Sequence, residues 1–172
     1  VFAKKSLNFS LNNYLNFYKN PTNLNTSAMC IAANLSGKAI NISKTIAPHA
    51  VSYPFSAYYN LSHGHAVSLN LEKFLLFNFF NQDKSLASFD LKLRYKILFQ
   101  LFEVNDIFSL CKKINLLKKN TNLEDSYKKL GININSNINK IIDGINLLRL
   151  KNNPVKLDSN ILKKILLSHE NF

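Results

Sequence analysis

The chain has no acidic residue before Glu72 and only two arginines, Arg94 and Arg149, in 172 residues. It also has little glycine, proline, cysteine and histidine, and no tryptophan. Each scarcity excludes something. The four glycines, Gly37, Gly64, Gly131 and Gly144, are too dispersed to form a Gly-rich loop that cradles phosphates. Cys30 and Cys111 lie far apart and outside any Cys-x-x-Cys spacing, which excludes a disulfide framework. They read as reduced, buried thiols of a cytoplasmic protein. No apolar run reaches the roughly 20 residues of a membrane span, so no membrane partner is expected. Asn-x-Ser sequons at Asn8, Asn25, Asn34, Asn41 and Asn60 follow from the abundance of Asn, with no signal-peptide pattern to make them glycosylation sites.

What is present is Lys, Asn, Ile and Phe. The apolar fraction of 47% and the length suit one domain with its own core. A net charge of +12 invites a nucleic-acid reading. The near-absence of Arg argues against it, because phosphate and base recognition favours the planar guanidinium fork. The best lysine cluster, Lys112, Lys113, Lys118, Lys119, Lys128 and Lys129, is interrupted by Glu124 and Asp125. The first residue is Val, as expected of a chain that begins inside a longer one.

The patterning predicts helix nearly throughout and no strand. Leu7, Leu11, Tyr14, Leu15 and Tyr18 form a helical stripe over 2–18. Residues 26–43 are rich in Ala, Ser and Gly and read as a helix that lies central in a bundle. Pro48 and Pro54 bracket the next element. Ser62 is placed to cap a helix over 63–77. Further helices are expected over 91–102, from a cap at Asn105 to 117, in a short piece between Asn122 and Gly131, over 136–150, and from a cap at Asp158 to 167. The expected architecture is all-α, a bundle of about seven to nine helices spanning 1–172.

Three of the four histidines, His49, His63 and His65, fall within seventeen residues, in the acid-free part of the chain. His49 lies on one helix and His63 starts the next, after a tight turn. That arrangement can bring two imidazoles to one point, and imidazole suits divalent Fe, Zn or Ni. Two ligands are short of the usual three. Glu72 falls on the opposite side of the helix from His63, and His65 points elsewhere, so further ligands are expected from outside this segment. His169, near the terminus, is expected to be solvent-exposed.

Gly37 to His49, followed by Tyr58-Tyr59-Asn60-Leu61-Ser62-His63-Gly64-His65-Ala66, resembles the C-terminal helical domain of iron-containing (group III) alcohol dehydrogenases. The family pattern is a His, a Pro five residues on, an aromatic near the turn, and His-Gly fourteen residues after the first His. His49, Pro54, Tyr58 or Tyr59, and His63-Gly64 fill those places. Ser43 to His49 and Lys151 to Leu157 are most similar to the phosphonoacetaldehyde reductase branch. The resemblance implies the helical part of the dehydroquinate synthase-like fold, with His49 and His63 as two of four metal ligands. The other two, an Asp and a His, and the NAD(P)-binding α/β domain have no match in 1–172. The implied cofactors are a divalent metal, Fe2+ before Zn2+, and NAD(P)H held by the missing domain. Many relatives carry a further His where Tyr53 stands, so Tyr53 is the candidate catalytic phenol. Lys44 and Asn41 are candidate substrate-binding residues, with Lys44 facing an anionic group such as a phosphonate. His65 is the candidate support behind the ligands. The substrate implied is a small aldehyde, the fragment alone is expected to be inactive, and self-association is left open. A non-catalytic relic of such a domain and a basic helical nucleic-acid binder are the competing readings.

Overall fold

The computed structural model describes residues 1–168, so His169 lies outside the described residues. The described elements are α1 (Phe2–Lys19), α2 (Asn23–Ser43), α3 (Ala47–Tyr59), α4 (His63–Ser68), α5 (Leu71–Phe80), a 3-10 turn (Gln82–Lys84), α6 (Leu91–Phe102), α7 (Ile107–Asn120), α8 (Ile134–Asp143), α9 (Leu147–Leu150) and α10 (Ser159–Leu167). Among the described residues there is no strand, only an isolated bridge between Ser85 and Val155. The fold is all-α, as the patterning predicts. Among the described residues no helix is long and apolar enough to cross a membrane. The chain divides into two compact units, Val1–Lys44 with Ile97–Asn122, and Thr45–Lys96 with Leu123–Phe172.

In the first unit α1 packs on α2. Thr22 and Asn25 form a reciprocal cap at the start of α2: Thr22 N–H donates to Asn25 Oδ1 (2.7 Å) and Asn25 N–H to Thr22 Oγ1 (3.3 Å). Ser6 Oγ donates to the Ala32 carbonyl (2.7 Å) across the pair. The expectation of a central position for 26–43 needs correction. Only Asn25 and Ala32 of α2 are buried, and Cys30 is exposed, not buried as its chemistry suggests. α7 starts one residue later than expected, because Asp106 caps it. Its Oδ1 accepts from Phe108 N–H (2.8 Å) and Ser109 N–H (2.9 Å), which a carboxylate does more strongly than the Asn105 amide.

The second unit holds one apolar core, built around Val51, Phe55, Phe74, Ile141, Leu162 and Leu166. Pro54 does not bound α3 but sits inside it. Proline lacks the N–H that should reach the Ala50 carbonyl. Asn146 N–H takes that place, donating to Ala50 O at 3.4 Å. Close approach is possible because residue 144 is glycine: a Cβ there would stand 3.0 Å from Pro54 Cβ and 3.1 Å from the Tyr58 hydroxyl. The same approach divides the helix expected over 136–150 into α8 and α9, with Asn146 capping α9 through Arg149 N–H (3.0 Å).

Two other helices depart from expectation. The one expected over 63–77 breaks between α4 and α5 at Asn70, whose buried Oδ1 accepts a hydrogen bond from the Tyr127 hydroxyl. The short helix expected after Asn122 is absent. Asn122 is left-handed (φ 52°) and ends α7, and a single turn leads to Gly131 (φ 71°). Ten helices among the described residues, against seven to nine expected, follow largely from the two divided ones. Asp158 caps α10 through Ile161 N–H (2.8 Å), and α6 has the expected bounds.

Candidate metal centre

α3 has proline at its second position, where no intrahelical donor is lost. It ends at Asn60, which turns the chain through a left-handed conformation (φ 53°, ψ 33°). Ser62 stands at the N-cap of α4, although its side chain makes no capping hydrogen bond. The turn returns His63 to His49. His49 Nδ1 and His63 Nε2 are 3.2 Å apart, and the ring centroids are 5.2 Å apart. His49 is half-buried and His63 exposed, so the pair opens outward.

Ser52, buried one turn after His49, organises the pair. Its Oγ donates to the His49 carbonyl (2.8 Å) and lies 3.4 Å from His63 Nδ1. With its own proton committed, Ser52 Oγ can accept from His63 Nδ1–H. That tautomer leaves the His63 Nε2 lone pair facing His49. A neighbouring hydrogen bond of this kind is what fixes a metal-bound imidazole. His49 has its pKa lowered by burial first, then by His63 and Arg149, so it stays neutral to lower pH than an ordinary imidazole. A neutral ring is the form that binds metal.

The pair fits a divalent metal. Two nitrogens sharing one tetrahedral ion at about 2.0–2.1 Å would themselves be a little over 3 Å apart. The observed spacing also suits a direct imidazole–imidazole hydrogen bond, so both arrangements are open to the pair. Among the described residues no group of three or more His, Cys, Asp or Glu could hold a metal ion. The pair alone would supply two ligands to such an ion.

The other candidates fall differently. Tyr53 borders the pair, its ring centroid 6.3 Å from that of His63, with 36% of its surface exposed. Lys44 and Asn41 lie in the other unit, both exposed, and Lys44 Nζ folds back to donate to the Asn41 carbonyl (3.1 Å). His65 is not brought to the pair: its Nε2 hydrogen bonds with the Glu124 carbonyl, tying α4 to the segment after α7. Glu72 is buried on α5, a different helix from the one that carries His63. Of the lysines set aside for nucleic acid, Lys118 is buried, Lys113 lies 3.8 Å from Glu103, and Lys129 pairs with Glu124 (3.2 Å).

Sequence reasoning missed Arg149. Its guanidinium stands over the Tyr53 ring, 5.6 Å from the centroid, and Nη1 donates to Thr45 Oγ1 (2.8 Å). Its scarcity in a lysine-rich chain was the one available signal.

Residues 1–169 match the C-terminal part of the Fe-containing alcohol dehydrogenase family. The chain belongs to that family. Similar solved structures include sulfoacetaldehyde reductase from Bifidobacterium kashiwanohense in complex with NAD+ (TM-score 0.80, 21% identity, covering 96% of this chain and 42% of that one). An archaeal halo-thermophilic Red Sea brine pool alcohol dehydrogenase gives a TM-score of 0.81 at 20% identity, covering 96% and 43%. A 1,3-propanediol oxidoreductase gives 0.79 at 17%, also covering 96% and 43%. At these identities the likeness is one of fold, that of the helical domain in the Fe-containing alcohol dehydrogenase family. The chain spans less than half the length of these structures. A search among curated proteins gave no match.

Proposed function

We propose that this chain is the metal-binding helical part of an NAD(P)-dependent alcohol dehydrogenase or aldehyde reductase, with His49 and His63 as two of its metal ligands. The observation that carries the proposal is the 3.2 Å approach of His49 Nδ1 to His63 Nε2, with Ser52 Oγ 3.4 Å from His63 Nδ1. Family membership supports the reaction class. The nucleotide is held outside 1–172, since no Gly-rich phosphate loop occurs in these residues.

When bound, the metal, Fe2+ before Zn2+, supplies Lewis-acid polarisation of a carbonyl oxygen, and the reduced nicotinamide supplies the hydride. The chain's own residues do the rest. Burial first, with the Arg149 charge adding to it, holds the His49 pKa below that of an ordinary imidazole and so favours the neutral ring that coordinates. The Tyr53 ring lies 6.3 Å from that of His63, where its phenol would orient the substrate or join a proton path.

The substrate we infer is a small aldehyde with an anionic head, phosphonoacetaldehyde in the first instance. Two stretches, Ser43 to His49 and Lys151 to Leu157, resemble the reductase branch that acts on it. The fold likeness to a sulfoacetaldehyde reductase, named for a two-carbon aldehyde with an anionic head, agrees with that class.

The test is metal uptake. The 172-residue chain is titrated with Co2+ and followed by absorbance, alongside His49→Ala and His63→Ala. Each substitution should abolish uptake while leaving the helical circular dichroism unchanged. Undiminished uptake in the double variant would refute the assignment. In a protein that joins these residues to a nucleotide-binding domain, the same substitutions should remove metal and aldehyde reduction together. The chain alone should show no reduction.

A further inference from the structure

We propose that Arg149, and not Lys44, recognises the substrate's anionic head, selecting short aldehydes that end in an oxyanion such as a phosphonate or sulfonate. The inference rests on the reading of His49 and His63 as the reduction site and names the residue that gives that site its selectivity.

The guanidinium is fixed before any ligand arrives. Nη1 donates to Thr45 Oγ1 at 2.8 Å. Thr45 is buried, and its carbonyl is held by Asn152 Nδ2 at 3.2 Å. Below the guanidinium lies the Tyr53 ring. A guanidinium held over a ring can still form hydrogen bonds through the edge of its planar fork. Thr45 accounts for one of five N–H donors. Among the described residues no carboxylate forms an ion pair with Arg149, in contrast to Lys92, which pairs with Asp83 at 2.8 Å. The Arg149 charge reaches His49.

Arg149 and the histidine pair also share a neighbour. The Tyr53 centroid is 5.6 Å from Arg149 Cζ and 6.3 Å from the His63 centroid. A ligand held by the fork at one end therefore has the imidazoles within roughly 12 Å of that end. A cation beside a pair read as holding a second cation calls for an anion. A phosphonate or sulfonate oxygen pair matches the fork bidentately. Lys44 Nζ, by contrast, is turned onto the Asn41 carbonyl of its own helix end.

The two arginines make a direct experiment possible. In the 15N-labelled 172-residue chain the side-chain Nε–Hε signals of Arg94 and Arg149 are followed by NMR while methylphosphonate, methanesulfonate or neutral acetaldehyde is added. Arg94 is a matched control, since it too lies over an aromatic ring, Phe89, at 5.3 Å. Methylphosphonate and methanesulfonate should shift Arg149 in a saturable way and leave Arg94 in place, and acetaldehyde should shift neither. Arg149→Met should weaken the affinity, read from backbone shifts around Thr45 and Tyr53, by about tenfold or more. Lys44→Met should leave it unchanged. Arg149→Lys, which keeps the charge but not the fork, should bind more weakly than the parent chain, and it replaces Arg149→Met if that variant loses its helical dichroism. Equal shifts at both arginines would mark non-specific attraction to a basic chain and overturn the proposal, as would loss of binding in Lys44→Met with retention in Arg149→Met. Co2+ uptake measured in the same variants separates this inference from the reductase reading. Anion binding at Arg149 without uptake by the histidines upholds the anion site even where two imidazoles alone hold no metal. Uptake without any Arg149 shift overturns the anion site and leaves the reductase reading standing.

Discussion

α2 and α3 are both rich in small residues, yet they have opposite fates. α2 carries Ala28, Ala32, Ala33, Ser36, Gly37 and Ala39 and buries two residues of twenty-one, Asn25 and Ala32. α3 carries Ala47, Ala50, Ser52, Ser56 and Ala57 and buries seven of thirteen. The difference lies in what each helix meets within its own unit. α3 is met by Gly144, Asn146 and the stacked ring of Tyr127. α2 is met by α1, and Leu24 and Ile42 remain 82% and 71% exposed. Small side chains permit close approach but do not cause it. The helix that carries His49 is therefore packed on several sides within its unit.

The largest test of this contrast is truncation of an apolar residue on each helix. Phe55 on α3 is fully buried and stacked on Tyr127 at 5.7 Å. Phe55→Ala should cost about 3–5 kcal/mol by urea unfolding. Ile42→Ala on α2, at an exposed position, should stay within about 0.5 kcal/mol of the parent. Equal losses at the two positions would break the comparison.

The glycines give a smaller effect with a change of sign. Gly144 has an ordinary backbone (φ −82°), so the cost of Gly144→Ala comes from the 3.0 Å contact with Pro54 Cβ and should reach about 1–3 kcal/mol. The displaced α3 should also loosen the histidine pair, read as weaker Co2+ uptake. Gly37, inside α2, leaves open space where a Cβ would stand, with no atom within 4 Å. There Gly37→Ala should raise stability by about 0.5–1 kcal/mol, through helix propensity alone.

What the sequence made legible follows the same division. Local chemistry could be read: Asp158 as a cap, the bounds of α6, the all-α class, and the turn that returns His63 to His49. Long-range events could not. Pro54 looks like a boundary until Asn146, distant in sequence, takes the orphaned Ala50 carbonyl. Asn70 interrupts a helix because Tyr127 reaches it. Arg149 meets Thr45 across 104 positions, and no local pattern announces that contact. His65 reads as support for the ligands because it is near in sequence, whereas its partner is the Glu124 carbonyl, 59 positions away.

The smallest expected effect is acid titration of one carboxylate in each unit. Asp106 is held below its usual pKa by the Ser109 hydroxyl, then by the N–H groups of Ser109 and Phe108 and the charge of Lys112. Glu124 is held below its own by the Ser126 N–H, then by Lys129. In both, the folded pKa lies below the unfolded one. The stabilising contribution is therefore fully present above the ordinary carboxylate pKa and lost as pH falls through the lowered value. Asp106→Asn should keep the cap of α7 at neutral pH, since an amide oxygen also accepts from a helix N-terminus, and should flatten the acid limb of the unfolding curve. Salt sharpens the contrast. Lys129 is exposed and Glu124 half-buried, so raising ionic strength should shrink the part of the pH dependence that Lys129 supplies. The hydrogen bonds to Asp106 are short-range contacts and should leave its acid limb nearly unchanged. If salt erased the Asp106 limb as well, charge and not capping would be holding the start of α7.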